Sequence, residues 1–268
     1  MSTRNHGTPC WYELATSPGH LQPAASFYGQ IFGWDVEDSG MEDFDYHLAK
    51  ADGDMVAGLM ALPDGVAAMP PFWMIYFAVD DADNFIAEAK AAGASVHRGP
   101  EDIPGTGRFA ILADPQGAAF GILQADMSAM AADDPGAEPG AGAFNQNKAG
   151  HGNWNELMST DPAAAFAFYA AMFGWTKGEA MDMGEMGTYQ LFRHQDADIG
   201  GMMGLAASAV PNWLPYFGVD GAVTDQIGAI QSAGGTVHHG PIEVPGGAFI
   251  AVAEDPQGAW FAIVGARR

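Results

Sequence analysis

The sequence predicts an α+β protein built by tandem duplication, and three observations carry that prediction. The phrase FYGQIFGW at 27–34 returns as FYAAMFGW at 168–175, so Trp34 and Trp175 stand 141 residues apart. The pentapeptide DPQGA occurs twice at the same offset, beginning at Asp114 and Asp255. WYEL at 11 reappears as WNEL at 154, and YFAVDD at 76 as YFGVDG at 216, with offsets of 143 and 140 that change only between blocks. Insertions therefore fall in turns, where backbone length is tolerated. The copies are bounded at 1–127 and 150–268. Residues 128–149, SAMAADDPGAEPGAGAFNQNKA, lack periodicity and are rich in Ala, Gly and Pro, the composition of a linker.

Each element has a local justification. The first strand is expected near 9–15. The helix that follows opens with Pro23 in its first turn, or in the second copy with Pro162 behind an N-cap at Asp161. Gly33 and Gly174 suit the left-handed position that ends a helix. Phe27 and Ile31, like Phe168 and Met172, lie four apart on one face and should bury against a sheet, leaving the variable middle to solvent. Three short strands follow near 34–38, 44–50 and 55–61. A second unit then runs as strand 73–79, helix 81–92, and strands near 94–97, 108–113 and 118–123. Strand, helix, three strands occurs twice per copy. Short connections favour mostly antiparallel pairing, with helices on one face of the sheet.

Composition narrows the function classes. With 48% hydrophobic residues the chain can bury real cores. Acidic residues outnumber basic ones 33 to 10, and a net charge of −23 repels nucleic acid and anionic lipid. No apolar run approaches a membrane span, and MSTRNHGTPC lacks a secretory apolar stretch, so a cytoplasmic location is expected. The single cysteine, Cys10, excludes an internal disulfide or a Cys-based zinc cage.

The FY…FGW helix exit, YFAVDD before the second helix, the AG or GG turn after it and the closing DPQGA resemble, in order and twice, the vicinal oxygen chelate superfamily of glyoxalases, extradiol dioxygenases and bleomycin-resistance proteins. The resemblance spans nearly everything but the linker and the extreme ends. It implies paired βαβββ modules whose mixed sheet curls into an open cup, with helices on the convex side and a ligand in the concave side. Metal-dependent members place His or carboxylate ligands on the first and last strands of each module. Carried onto this sequence, those positions hold Trp11, Met74 and Gly121 in the first copy and Trp154, Leu214 and Ala262 in the second, and the remaining strands, 55–61 and 199–205, contain no His, Asp or Glu. None of the named residues is a usual donor. Asn155, one residue along, is a neutral amide and does not make a site.

Alternation along the first strand puts Trp11 and Glu13 on one face, with Cys10, Tyr12 and Leu14 on the other; Trp154 and Glu156 repeat this. Tyr76 and Tyr216 should share the concave face with Met74 and Leu214. Glu13 and Glu156 would then act as general base or ligand anchor with a raised pKa, or serve as hydrogen-bonded structural residues. His97 and His238 correspond but precede Gly-Pro turns. His47 is matched by Gln190, and the consecutive His238 and His239 point oppositely. The Met-rich stretch at 181–186 is either an adaptable ligand rim or gap-filler.

The expected function is metal-independent binding of a small apolar or aromatic molecule, with no cofactor; a cationic guest would suit the acidic chain. The alternatives are a glyoxalase-type lyase or isomerase or a dioxygenase-like enzyme, using a divalent metal or Glu13 and Glu156, and a scaffold whose cups are self-filled. The differences Ala119 against Trp260 and Arg108 against Phe249 suggest unequal cups. A monomer or a homodimer is compatible with the duplication.

Overall fold

The computed structural model describes residues 5–41, 44–66, 68–126, 142–205 and 209–268. The first repeat runs β1 (Pro9–Thr16), α1 (Leu21–Phe32), β2 (Asp35–Asp38), β3 (Tyr46–Ala51), β4 (Asp54–Ala61), β5 (Phe72–Ala78), α2 (Ala82–Ala91), β6 (Ser95–Ile103), β7 (Gly107–Ala113) and β8 (Ala119–Ala125). The second repeats it as β9 (Gly152–Ser159), α3 (Pro162–Phe173), β10 (Thr176–Asp182), β11 (Thr188–His194), β12 (Ala197–Gly204), β13 (Asn212–Gly218), α4 (Val223–Ser232), β14 (Thr236–Glu243), β15 (Phe249–Glu254) and β16 (Trp260–Gly265). Each repeat forms one eight-stranded mixed sheet, ordered β2-β3-β4-β1-β5-β8-β7-β6 and β10-β11-β12-β9-β13-β16-β15-β14. The expected element order and α+β class are those observed. Of the expected linker, residues 128–141 lie outside the described residues.

Helix ends follow the local chemistry. Asp81 and Asp161 accept from the amides of Asn84 and Ala164, each at 3.0 Å, satisfying donors that a helix start leaves open. Gly33 and Gly174 close α1 and α3 at φ 68° and 71°.

The compact units recombine the repeats. One comprises Met1–Cys10, Ile75–Ala141 and Asn155–Trp213; the other comprises Trp11–Met74, Gly142–Trp154 and Leu214–Arg268. Each therefore joins the second module of one repeat to the first module of the other.

In the second of these units the core is aromatic. Phe27 and Tyr28 of α1 meet Phe261 edge to face at 6.1 and 5.5 Å, and Trp34 and Trp73 meet Phe217 at 5.3 and 5.1 Å. Such a core must satisfy its polar edges internally. The Trp73 Nε1–H donates to Tyr28 Oη at 3.0 Å, and Tyr28 donates to Asp255 Oδ2 at 2.9 Å. Asp255 Oδ1 accepts the amides of Gln257 and Ala259. The other unit repeats the chain of bonds with Trp213, Tyr169 and Asp114, at 3.1 and 3.1 Å. The tyrosine of the FY phrase thus binds the aspartate of the other repeat's DPQGA. Both carboxyls are held above the usual range by burial, against the pull of those hydrogen bonds.

The closing tryptophans of the two phrases act in the same way. Trp34 Nε1 donates to Gly150 O at 2.8 Å, and Trp175 Nε1 donates to Gly7 O at 2.9 Å. Gly7 and Gly150 hold φ of 85° and 72°, and a Cβ would lie 2.8 Å from Phe173 Cβ or 2.9 Å from Ala51 Cβ respectively, so conformation and space both demand glycine.

Burial also sets an alkaline limit. Cys10, which points away from the Trp11 face and donates to Tyr76 O, is pushed by burial from 9.0 to about 12, and Tyr28, Tyr46 and Tyr169 are raised well above 10. A raised folded value means stability that is complete below the unfolded value and lost as pH climbs towards the folded one. Guanidinium midpoints are expected to hold up to about pH 9 and then fall steeply towards pH 11. An unchanged midpoint from pH 8 to 11 would contradict this.

Candidate functional site

The helix-free face of β1 carries Trp11 and Glu13, half-buried, while Tyr12 and Leu14 are buried on the helix side. Glu13 stands opposite Gly58 on β4, and Tyr46 of β3 stands opposite Met60. Because Gly58 has no side chain, the Tyr46 ring leans across it towards β1. Trp11 Nε1–H donates to Tyr46 Oη at 3.0 Å, and Tyr46 donates to Glu13 Oε2 at 3.1 Å. Burial, then the charge of Glu13, holds the Tyr46 hydroxyl well above its ordinary pKa, so it remains a donor. A carboxylate fixed in this way can anchor a ligand donor or take a proton from one. Phe44, Tyr46 and Phe72 pack on Ala15, Met60 and Leu62 beside it, making an apolar surround.

Neither Tyr46 nor Gly58 was singled out by sequence, although a signal exists. Trp11, Glu13, Tyr46 and Gly58 map at one constant offset of 143 onto Trp154, Glu156, Tyr189 and Gly201. Glu156 stands opposite Gly201, and a Cβ on Gly201 would meet Tyr189 Cε1 at 2.2 Å. The Tyr-over-Gly-beside-Glu arrangement is therefore built twice.

The remaining expected residues separate into two groups. Trp154 packs with buried Leu214, Tyr216 and Ala262 and with Ile250, Val252 and Val264 in one apolar cluster. Met74 is buried in the same compact unit. Tyr76 stands opposite Gly121 in the other unit, its ring covering the glycine so closely that a Cβ would lie 2.2 Å from Tyr76 Cδ1. Trp154 and Glu156, neighbours on one face of β9, fall in different units. Asn155 is buried on the opposite face and donates to Ile199 O at 3.0 Å. His97 is exposed; on the 181–186 stretch Met183 and Met186 are exposed as well.

These residues do not fit a divalent cation at the ligand positions implied by the resemblance. Indole, thioether, aliphatic chain and bare backbone supply no hard or borderline donor there. Among the described residues no group of three or more His, Cys, Asp or Glu side chains is placed to hold a metal.

Residues 14–122 match the family described as Glyoxalase/Bleomycin resistance protein/Dioxygenase superfamily. The whole chain is also similar to CFP32 of Mycobacterium tuberculosis, provisionally named a glyoxylase, with 34% identity over 98% of this chain and 96% of that one. The chain belongs to this superfamily. A second relative, the anthracycline biosynthesis protein DauV of Streptomyces sp. strain C5, is 30% identical over 96% of this chain and 93% of its own length. Among solved structures, the 2,3-dioxygenase LapB of Pseudomonas sp. KL28 aligns at TM-score 0.68 with 13% identity, covering 99% of this chain and 94% of that one. The Mn(II)-bound glyoxalase of Novosphingobium aromaticivorans aligns at 0.65 with 15% identity, covering 100% and 84%. At such identities these two structures speak for the fold. No helix among the described residues is long and apolar enough to cross a membrane.

Proposed function

We propose that this superfamily member binds a small apolar or aromatic molecule without a metal, on the helix-free face that carries Trp11, Tyr46 and Glu13. The hydrogen-bonded chain from indole to phenol to carboxylate carries the reading. It presents an aromatic edge and a fixed acceptor together, within an apolar surround. The relative named for anthracycline biosynthesis supports a fused aromatic ligand class. A net charge of −23 favours a neutral or cationic guest and disfavours nucleic acid and anionic membranes as partners. Exchange of partners between repeats within one chain supports a monomer.

A ligand panel read by tryptophan quenching and thermal shift tests this proposal. Saturable quenching with stabilisation is expected, and Glu13→Gln should weaken affinity by roughly 10- to 100-fold, the equivalent of a charge-assisted hydrogen bond. No saturable ligand, or equal affinity in the variant, would overturn it. The name of CFP32 and the duplicated glutamate favour a second reading, in which Glu13 takes a proton from substrate as a glyoxalase-type base. Turnover that requires stoichiometrically bound Mn2+ would defeat both readings.

A further inference from the structure

Six of the seven tryptophans are buried or half-buried; Trp260, at the start of β16, is 46% exposed. Strand alternation sends Phe261 to the helices, where it meets Tyr28 at 5.5 Å, and sends Trp260 to the other face with Ala262. Trp260 stacks face to face on His238, with centroids 4.2 Å apart and planes at 7°. His238 Nε2 lies 2.9 Å from Oε2 of Glu254, the residue directly opposite Trp260 on β15. Carboxylate, imidazole and indole thus form a braced stack at the start of β16, two residues along the strand from buried Ala262.

The duplication supplies an internal control. Features the fold requires recur at the matched positions, as the DPQGA aspartates and FGW tryptophans do. The positions 141 residues before His238, Glu254 and Trp260 hold His97, Ala113 and Ala119, so carboxylate and indole belong to the second repeat alone. A half-exposed indole also contributes little burial for its size. The stack is surplus to the fold.

We propose that Trp260, His238 and Glu254 form a binding site, specific to the second repeat, for a planar aromatic cation. The indole face is the strongest side-chain partner for a cation, and the imidazole beneath it fixes its orientation. Glu254 steadies the imidazole and adds negative charge to a surface that already attracts cations and repels anions. The site uses no residue of the Trp11–Tyr46–Glu13 chain and goes beyond that reading.

Titration of the full chain with proflavine, a planar cation, tests the proposal. It is followed by tryptophan quenching and by proflavine anisotropy. Saturable binding is expected, weakened at least tenfold in Trp260→Ala, severalfold in Glu254→Gln and less in Trp260→Phe. Anthraquinone-2-sulfonate, planar but anionic, and tetramethylammonium, cationic but not aromatic, should bind at least tenfold more weakly. An unchanged thermal midpoint in Trp260→Ala shows that the fold is intact, as the exposure of this side chain implies. Equal proflavine affinity in wild type and Trp260→Ala, or equal affinity for the anionic probe, would overturn the site. The two readings fail separately: loss in Trp260→Ala reports this site, and loss in Glu13→Gln reports the first-repeat site.

Discussion

Replacing Tyr28 with Phe is expected to destabilise the fold by roughly 2–4 kcal/mol, although only one oxygen is removed. The ring and its aromatic contacts remain, so packing is nearly conserved. What is lost is the shared oxygen between a buried indole donor, Trp73 Nε1, and a buried carboxylate, Asp255 Oδ2. Both partners are then stranded away from water, and the cost of stranding exceeds the net worth of the bonds. Tyr169→Phe should cost a similar amount through Trp213 and Asp114. The Tyr28 bond also pulls the Asp255 pKa down against burial, so its removal makes that carboxyl easier to protonate. The deficit should therefore be largest at neutral pH and shrink on acidification. Chemical denaturation of the variant at pH 7 and at pH 5 measures both effects. A deficit below about 0.5 kcal/mol at pH 7, within the range of an ordinary surface change, would mean the chain of bonds contributes nothing.

Gly58→Ala is expected to dismantle the candidate site. A Cβ at position 58 would lie 1.8 Å from Tyr46 Oη and 2.3 Å from Cζ, well inside any tolerable contact. Tyr46 must swing off β4, which breaks its bonds to Trp11 and Glu13 together. Overpacking of this kind costs about 1–3 kcal/mol, and affinity for the first-repeat ligand should fall at least tenfold, about the worth of one hydrogen bond to a charged group. Tyr46→Phe removes the same bonds without the collision. Comparing the two variants by ligand titration and denaturation separates the loss of the hydroxyl from the displacement of the ring. Wild-type affinity and stability in Gly58→Ala would show that Tyr46 does not depend on the bare backbone beneath it.

Strand alternation correctly assigned Trp11 and Glu13 to one face and Cys10 and Tyr12 to the other, because the direction of a strand side chain is a local property. Local signals likewise located both left-handed glycines and the Asp161 cap, but not the cap at Asp81. Nothing local in DPQGA signals that Asp114 and Asp255 each receive a tyrosine hydroxyl from a distant helix. Alternation passed over Tyr46 and Gly58, because the bond from Tyr46 to Glu13 runs diagonally across three strands, over Gly58, and depends on register. The constant offset of the quartet was visible, but only geometry explains why a tyrosine, a glycine and a glutamate should be retained together.

The sequence by itself determined the duplication, the order of elements and the facing of the strand that opens each module, since repeats, caps and alternation are written within a few residues of where they act. Tertiary structure decided the partners. Tyr28 and Asp255 are 227 residues apart, and no periodicity connects them. Packing of whole elements brings together a hydroxyl and a carboxylate that burial would otherwise leave unsatisfied, and that requirement pairs each repeat's FY phrase with the other's DPQGA.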